Sequence, residues 1–240
     1  MAVTNSGSGT RVDEIADGIY RISTPLAAVP GGFTFNQYLI ADAEPLLFHS
    51  GPRKLCPIVR EAIATVVPVE RLRFLALSHF EDDECGGIDE LLAGAPQAVP
   101  LSSRTNAMIN GGAFTRDVRG IADGESLALG RHRVRWLDAP HLPHAWECGY
   151  LFEETTRTLL CGDLFTQGGS EHPALTSADI LGPSEEFRRP MDYYAHGRDT
   201  RRLLEHLAAT RPTTLACMHG AAWQGDGAAL LRALADSLGA

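Results

Sequence analysis

The sequence predicts an α/β protein built as a four-layer sandwich, with two sheets packed face to face and helices covering the outside. Three observations lead there. Strand-like runs gather toward both ends of the chain, helical periodicity follows them each time, and no linker splits the 240 residues into two units. A length of 240 residues and a composition of 44% hydrophobic and 21% charged residues suit one substantial core.

The elements follow in order. Residues 1–12 are polar and small, so a disordered lead-in is expected there, with a single domain over 13–240. "GIYRIST" and "FTFNQYLIAD" alternate or run apolar, and "PLLFHSG" ends in a turn. Leu55 to Val66 has helical spacing, with Val59, Ala62, Ile63 and Val66 on one face. "RLRFLALS" is a buried strand, and a helical segment carrying Ile88, Leu91 and Leu92 follows Gly86. After the small-residue stretch "AMINGGAF", strands resume at "ESLALG", "HRVRWLDA", "CGYLFEE" and "RTLLCGD". Leu203, Leu204 and Leu207 mark a helix and "TTLACM" a strand. Asp226 caps a last helix that carries Leu230, Leu231, Leu234 and Leu238.

Charge and cysteine usage exclude several classes. The net charge is −9, and Lys54 is the only lysine among 21 basic side chains. No basic stripe suits a phosphate backbone, so a nucleic-acid partner is not expected. No apolar stretch is long enough to span a membrane, and the N-terminus lacks the apolar core of a signal peptide. The five cysteines are scattered, with no CxxC pair, which argues against a cysteine zinc site and a disulfide framework. A cytoplasmic location is expected.

The chemistry concentrates in "LSHFEDDECGG", residues 77–87. His79, Glu81 and Asp83 stand two residues apart, and an extended backbone would turn all three to one side. Glu84 follows at once. "DAPHLPHAW" adds His141 and His144 on a proline-flanked loop, "LLCGDLF" puts Asp163 after an apolar strand, and "LACMHGAAW" does the same for His219. Singly, each has an ordinary explanation: a core histidine, a turn-forming aspartate, a solvated acidic run. Together they place metal-type side chains at several strand ends, where α/β folds build sites.

H-x-E-x-D, a later histidine on a Pro-flanked loop, an Asp after "LLCG" and a terminal "HG" with Trp223 nearby resemble the flavodiiron proteins. These are the branch of the metallo-β-lactamase fold that handles oxygen and nitric oxide. "FNQYLIAD…PLLFHSG" looks like the opening strands of that fold, and the resemblance runs from about Gly18 to the last helix. It implies a first iron held by His79, Glu81, His141 and Asp163. It implies a second held by Asp83 and His219, with Asp163 bridging. Hydrolytic members of the fold carry histidine where Glu81 stands, and carboxylate-rich donor sets suit iron or manganese better than zinc.

Two positions depart from the family pattern. Glu84 replaces a histidine, and three roles are open to it. It coordinates a metal itself, or His144 or His49 takes over as nitrogen donor, or the second site is weak. His49 replaces an Asp before the S-G pair, which suits a hydrogen-bond donor that orients a ligand. His144, Tyr193, Tyr194 and Trp223 are the candidate pocket residues.

The resemblance therefore implies a two-iron protein, with zinc or manganese as alternatives, that binds dioxygen or a related diatomic such as nitric oxide, either as an oxygen-binding or sensing module or as an oxidoreductase that reduces it. It implies no flavin in this chain, a separate redox partner as electron source and a homo-oligomer, in the family a homodimer. The alternative is a metal-dependent hydrolase of esters, lactones or thioesters. A third is a degenerate domain kept for interaction.

Overall fold

The computed structural model of the chain describes residues 2–239. The first sheet follows the sequence strand by strand: β1 (Ala2–Asn5), β2 (Thr10–Ala16), β3 (Ile19–Leu26), β4 (Phe33–Ile40), β5 (Leu46–Phe48), β6 (Phe74–Ala76), β7 (Val99–Ser103) and β8 (Arg119–Ile121). It is antiparallel up to β5 and parallel from β5 to β8. Parallel neighbours need crossovers, and helices supply them. These are α1 (Cys56–Ala64), the single turn α2 (Asp82–Cys85), α3 (Ile88–Gly94) and α4 (Arg104–Asn110).

The second sheet contains β9 (Ser126–Ala128), β10 (Arg133–Asp138), β11 (Gly149–Glu153), β12 (Thr158–Leu160), β13 (Leu175–Thr176), β14 (Thr214–Ala216) and β15 (Ala222–Gln224). Its spatial order is β13-β15-β14-β12-β11-β10-β9. Helices α5 (Leu181–Arg188) and α6 (Thr200–Ala208) precede β14, and α7 (Gly227–Ser237) closes the described chain.

Strand periodicity distributes the apolar residues over three cores. Tyr38 and Ile40 of β4 enter the core between the sheets, where Phe48, Trp136, Leu151 and Leu160 meet them. Leu39, between them in sequence, points the other way and packs with Val59, Ala62 and Ile63 of α1. Leu159 of β12 likewise faces outward, onto Leu203, Leu204 and Leu207 of α6 and Leu231 and Leu234 of α7. The result is the helix–sheet–sheet–helix sandwich that the sequence predicts. Burial of each such leucine contributes roughly 2 kcal/mol. The Asp226 side chain accepts from the Ala229 N–H at 3.0 Å, capping α7.

Two local expectations need correction. The N-terminal segment is not a disordered lead-in, because β1 pairs with β2 through Ala2↔Val12 and Val3↔Arg11. The connecting turn is stabilised by Asn5, whose Oδ1 accepts from the Ser8 N–H at 3.0 Å, and by Gly9 at φ 72°. The acidic motif is not extended throughout. Glu81 is extended (φ −138°, ψ 162°), and from Asp82 the backbone turns into α2. That turn brings Glu84, not only Asp83, toward the same centre as His79.

Candidate metal centre

The site lies where β6, β12 and β14 run out. His79, Asp163 and His219 each follow one of these strands by three residues, and the loop between β10 and β11 adds His144. Two backbone carbonyls and one side-chain hydroxyl fix the imidazoles.

Each imidazole has its Nδ1 against an oxygen and its Nε2 aimed inward. His219 Nδ1 lies 2.8 Å from the Thr34 carbonyl oxygen, and His144 Nδ1 lies 3.1 Å from the Tyr193 carbonyl oxygen. A carbonyl only accepts, so both Nδ1 atoms carry a proton, and loss of any Nε2 proton to a bound cation would turn an Nε2 lone pair into the site. His79 Nδ1 lies 2.9 Å from Ser78 Oγ, and Ser78 Oγ lies 2.9 Å from His49 Nε2. The Ser78 backbone N–H also donates to His49 Nε2, at 3.3 Å. His49 is therefore the acceptor at the end of a His79–Ser78–His49 chain, not the donor expected from sequence. Burial lowers the pKa of His49 to about 3, consistent with a neutral acceptor.

The carboxylates close around these nitrogens. Asp163 divides its oxygens: Oδ2 is 3.5 Å from His79 Nε2 and 3.9 Å from His144 Nε2, while Oδ1 is 3.3 Å from His219 Nε2. Glu81 Oε1 is 2.9 Å from His144 Nε2 and 3.6 Å from His79 Nε2. Asp83 Oδ2 is 3.5 Å from His219 Nε2. Two donor groups thus share Asp163: His79, His144 and Glu81 on one side, Asp83 and His219 on the other.

The electrostatics show how much positive charge the cluster calls for. Burial alone would raise Asp163, but the His219 hydrogen bond and the neighbouring imidazoles hold it below the usual carboxylate range. Hydrogen bonding to His144 and His79 brings Glu81 down to about 2. Burial alone would lower His219, yet Asp163 and Asp83 raise it to about 9. Glu84 is fully buried, and its two oxygens have no hydrogen-bond partner among the described residues. Burial first, then the Asp163 charge, drives its pKa well above the ordinary value. A mixed imidazole–carboxylate set of this kind, with orphaned acid oxygens, fits metal ions, which would take the place of protons.

Not every candidate from the sequence arrives. His141 is exposed, beside Arg198, Asp199 and Thr200 on a surface hollow away from the cluster. Its N–H bonds to the Ala145 carbonyl at 2.8 Å and its φ is 65°, a tight turn that sends His141 outward and His144 inward. His144 therefore occupies the position expected of His141. Trp223 donates its indole N–H to the Ala178 carbonyl at 3.0 Å and packs on the outer core of the second sheet, so it does not wall the site. Tyr194 is buried behind Tyr193. Asp82 is exposed, as its acidic neighbours require.

The structure places Tyr193 at the site, as expected, and adds Phe33, Thr34, Phe187 and Met191, which the sequence did not single out. Phe33 stacks on the His219 ring with centroids 4.3 Å apart, and Thr34 supplies the carbonyl beneath it. Phe33, Phe187, Met191 and Tyr193 line a cavity of about 200 Å³ over Asp83, His144, Asp163 and His219. Tyr193 and the aromatic spacing of "FTF" are the traces of this wall in the sequence.

A family model described as ODP family beta lactamase matches residues 33–220, which include every residue of the cluster. The chain belongs to this family. Among curated relatives of the ODP chain, type A flavoprotein fprA of Rhodobacter capsulatus is 29% identical over 171 residues, covering 68% of this chain and 38% of that protein. Rubredoxin-oxygen oxidoreductase of Megalodesulfovibrio gigas is 24% identical over 208 residues, covering 82% of this chain and 50% of that protein. The chain thus spans half or less of the length of these two relatives. In fold it is similar to the flavodiiron protein of Giardia intestinalis, with a TM-score of 0.82 and 18% identity over 95% of this chain and 59% of that one. The rubredoxin oxygen:oxidoreductase of Desulfovibrio gigas gives a TM-score of 0.80 and 20% identity over 95% and 62%. The fold is that of the metallo-β-lactamase-like core of flavodiiron proteins.

Proposed function

We propose that this ODP-family chain holds two iron ions and binds dioxygen or a related diatomic such as nitric oxide. The observation that carries the reading is the convergence of three Nδ1-anchored imidazoles on a carboxylate whose two oxygens face opposite donor groups. His79, Glu81, His144 and Asp163 would hold the first ion, and Asp83, Asp163 and His219 the second. The Ser78 hydroxyl and the Tyr193 and Thr34 carbonyls keep the imidazoles oriented. Such an ion pair, when bound, supplies redox-active iron to a small ligand.

The cavity supports a small ligand. About 200 Å³ admits a diatomic and a few waters but falls below the size of typical organic-substrate pockets. Phe33, Phe187 and Met191 give it an apolar wall, which suits an uncharged diatomic. The curated relative is named for an oxygen oxidoreductase with rubredoxin. For this chain we assign the electron supply to a redox centre outside the 33–220 core.

The test is anaerobic loading with ferrous iron, desalting and metal analysis, followed by mixing with air-saturated buffer at an oxygen electrode. Two irons per chain and oxygen uptake that depends on the bound iron are expected. A chain that retains no iron, or that retains zinc and cleaves a thioester or lactone, overturns the proposal.

A further inference from the structure

We infer that Glu84 is itself one of the metal-binding carboxylates and that it shifts the site's relative affinity away from zinc toward manganese. This rests on the metal-centre reading above and extends it to a residue at which the chain departs from the flavodiiron pattern.

Three observations carry the inference. First, the nitrogen donors that the sequence offers in place of Glu84 are already engaged. His144 lies against Glu81 at 2.9 Å, and His49 is committed to Ser78 behind His79. Second, Glu84 is locked in place by its backbone, since its carbonyl accepts from the Ser50 N–H at 2.7 Å and from Ser50 Oγ at 3.3 Å. Its fully buried side chain projects toward His79, with Oε1 3.8 Å from His79 Nε2. Third, neither carboxylate oxygen has an N–H donor among the described residues, and the side chain they meet instead is another acid, Asp83.

The same protein shows what a structural buried glutamate looks like. Glu153 is equally inaccessible, yet it accepts from the N–H groups of Thr155 (2.9 Å) and Thr156 (2.7 Å), from the Thr156 hydroxyl (2.6 Å), and faces His132 at 3.1 Å. Glu84 faces His79 and two other acids, Asp83 and Asp163. A buried carboxylate in that setting is explained by a cation. His79, Glu81 and Glu84 each offer a ligand atom within 4.8 Å of the others. A hard anionic oxygen where an imidazole would otherwise stand favours manganese, whereas imidazole suits zinc.

The test compares Mn(II) and Zn(II) affinities of the whole chain by equilibrium dialysis against a competing chelator. Wild type, Glu84→Gln and Glu84→His are measured, with circular dichroism as the fold control. Glu84→Gln should weaken Mn(II) binding at least tenfold. Glu84→His should bind metal and raise the Zn(II)-to-Mn(II) affinity ratio at least tenfold. If Glu84→Gln does not fold, the ratio in Glu84→His decides. Wild-type affinities in Glu84→Gln, or an unchanged ratio in Glu84→His, overturn the inference and leave the metal centre standing. A wild-type chain that binds neither ion overturns both.

Discussion

At the scale of single residues, the informative case is the pair His141 and His144. "DAPHLPHAW" offers two histidines with the same local credentials, and the side that each one faces depends on contacts that sequence spacing does not contain. His141 adopts a positive φ of 65°, and His144 is oriented by the carbonyl of Tyr193, 49 residues further on. That partner is not visible in any local pattern. By contrast, His79, Asp163 and His219 were legible, because each directly follows an apolar strand. The prediction separates the two histidines. His144→Ala should lower metal affinity by at least tenfold, as loss of a direct ligand exceeds or equals the 10–100-fold cost of losing an outer partner. His141→Ala should leave metal content and affinity unchanged. Metal analysis after chelator challenge reads both, and equal losses would return His141 to the ligand set.

At the scale of elements, α2 is the piece that the sequence concealed. "DDEC" is too short for periodicity to reveal a helical turn, and strand-like alternation through His79, Glu81 and Asp83 reads equally well as extended chain. The difference matters, because one turn of helix is what directs Asp83 and Glu84 together toward the imidazoles. N-terminal strand β1 was hidden for a related reason, since a four-residue strand depends on pairing with β2 and not on its own composition. Gly86 is what lets α2 end where it does. A Cβ there would stand 2.2 Å from Asp82 Oδ1 and 2.8 Å from the Arg53 backbone nitrogen, so the turn would have to move. Gly86→Ala should therefore cost about 1–3 kcal/mol in denaturant unfolding and weaken metal binding, although it touches no ligand. Wild-type metal affinity in a folded Gly86→Ala protein would show that α2 does not position the carboxylates.

At the scale of the whole molecule, the layer order and the two sheets were legible because each apolar run carries a clear period, whereas the joints that lock one sheet to the other were not. One joint lies at the opposite end of β4 from Phe33 and Thr34, which pack on His219. There Asp42 accepts from the His132 N–H at 2.7 Å, the Glu44 N–H donates to the Leu129 carbonyl at 2.7 Å, and His132 is buried against Glu153 at 3.1 Å. Burial alone would raise Glu153, but the Thr156 hydroxyl and the N–H groups of Thr156 and Thr155 outweigh it and hold its pKa below 4.5. A carboxylate whose folded pKa is depressed adds stability that is present above its unfolded value and lost as pH falls through the folded one. Glu153→Gln keeps an acceptor but loses the charge, so it should destabilise the protein by about 1–2 kcal/mol at neutral pH. The gap in melting temperature between wild type and variant should close as the pH is lowered from about 4.5 through the folded value. Because this joint sits away from the metal cluster, metal affinity in the folded variant should match wild type. A gap that persists unchanged at pH 2 would show that Glu153 acts through packing and not through its charge.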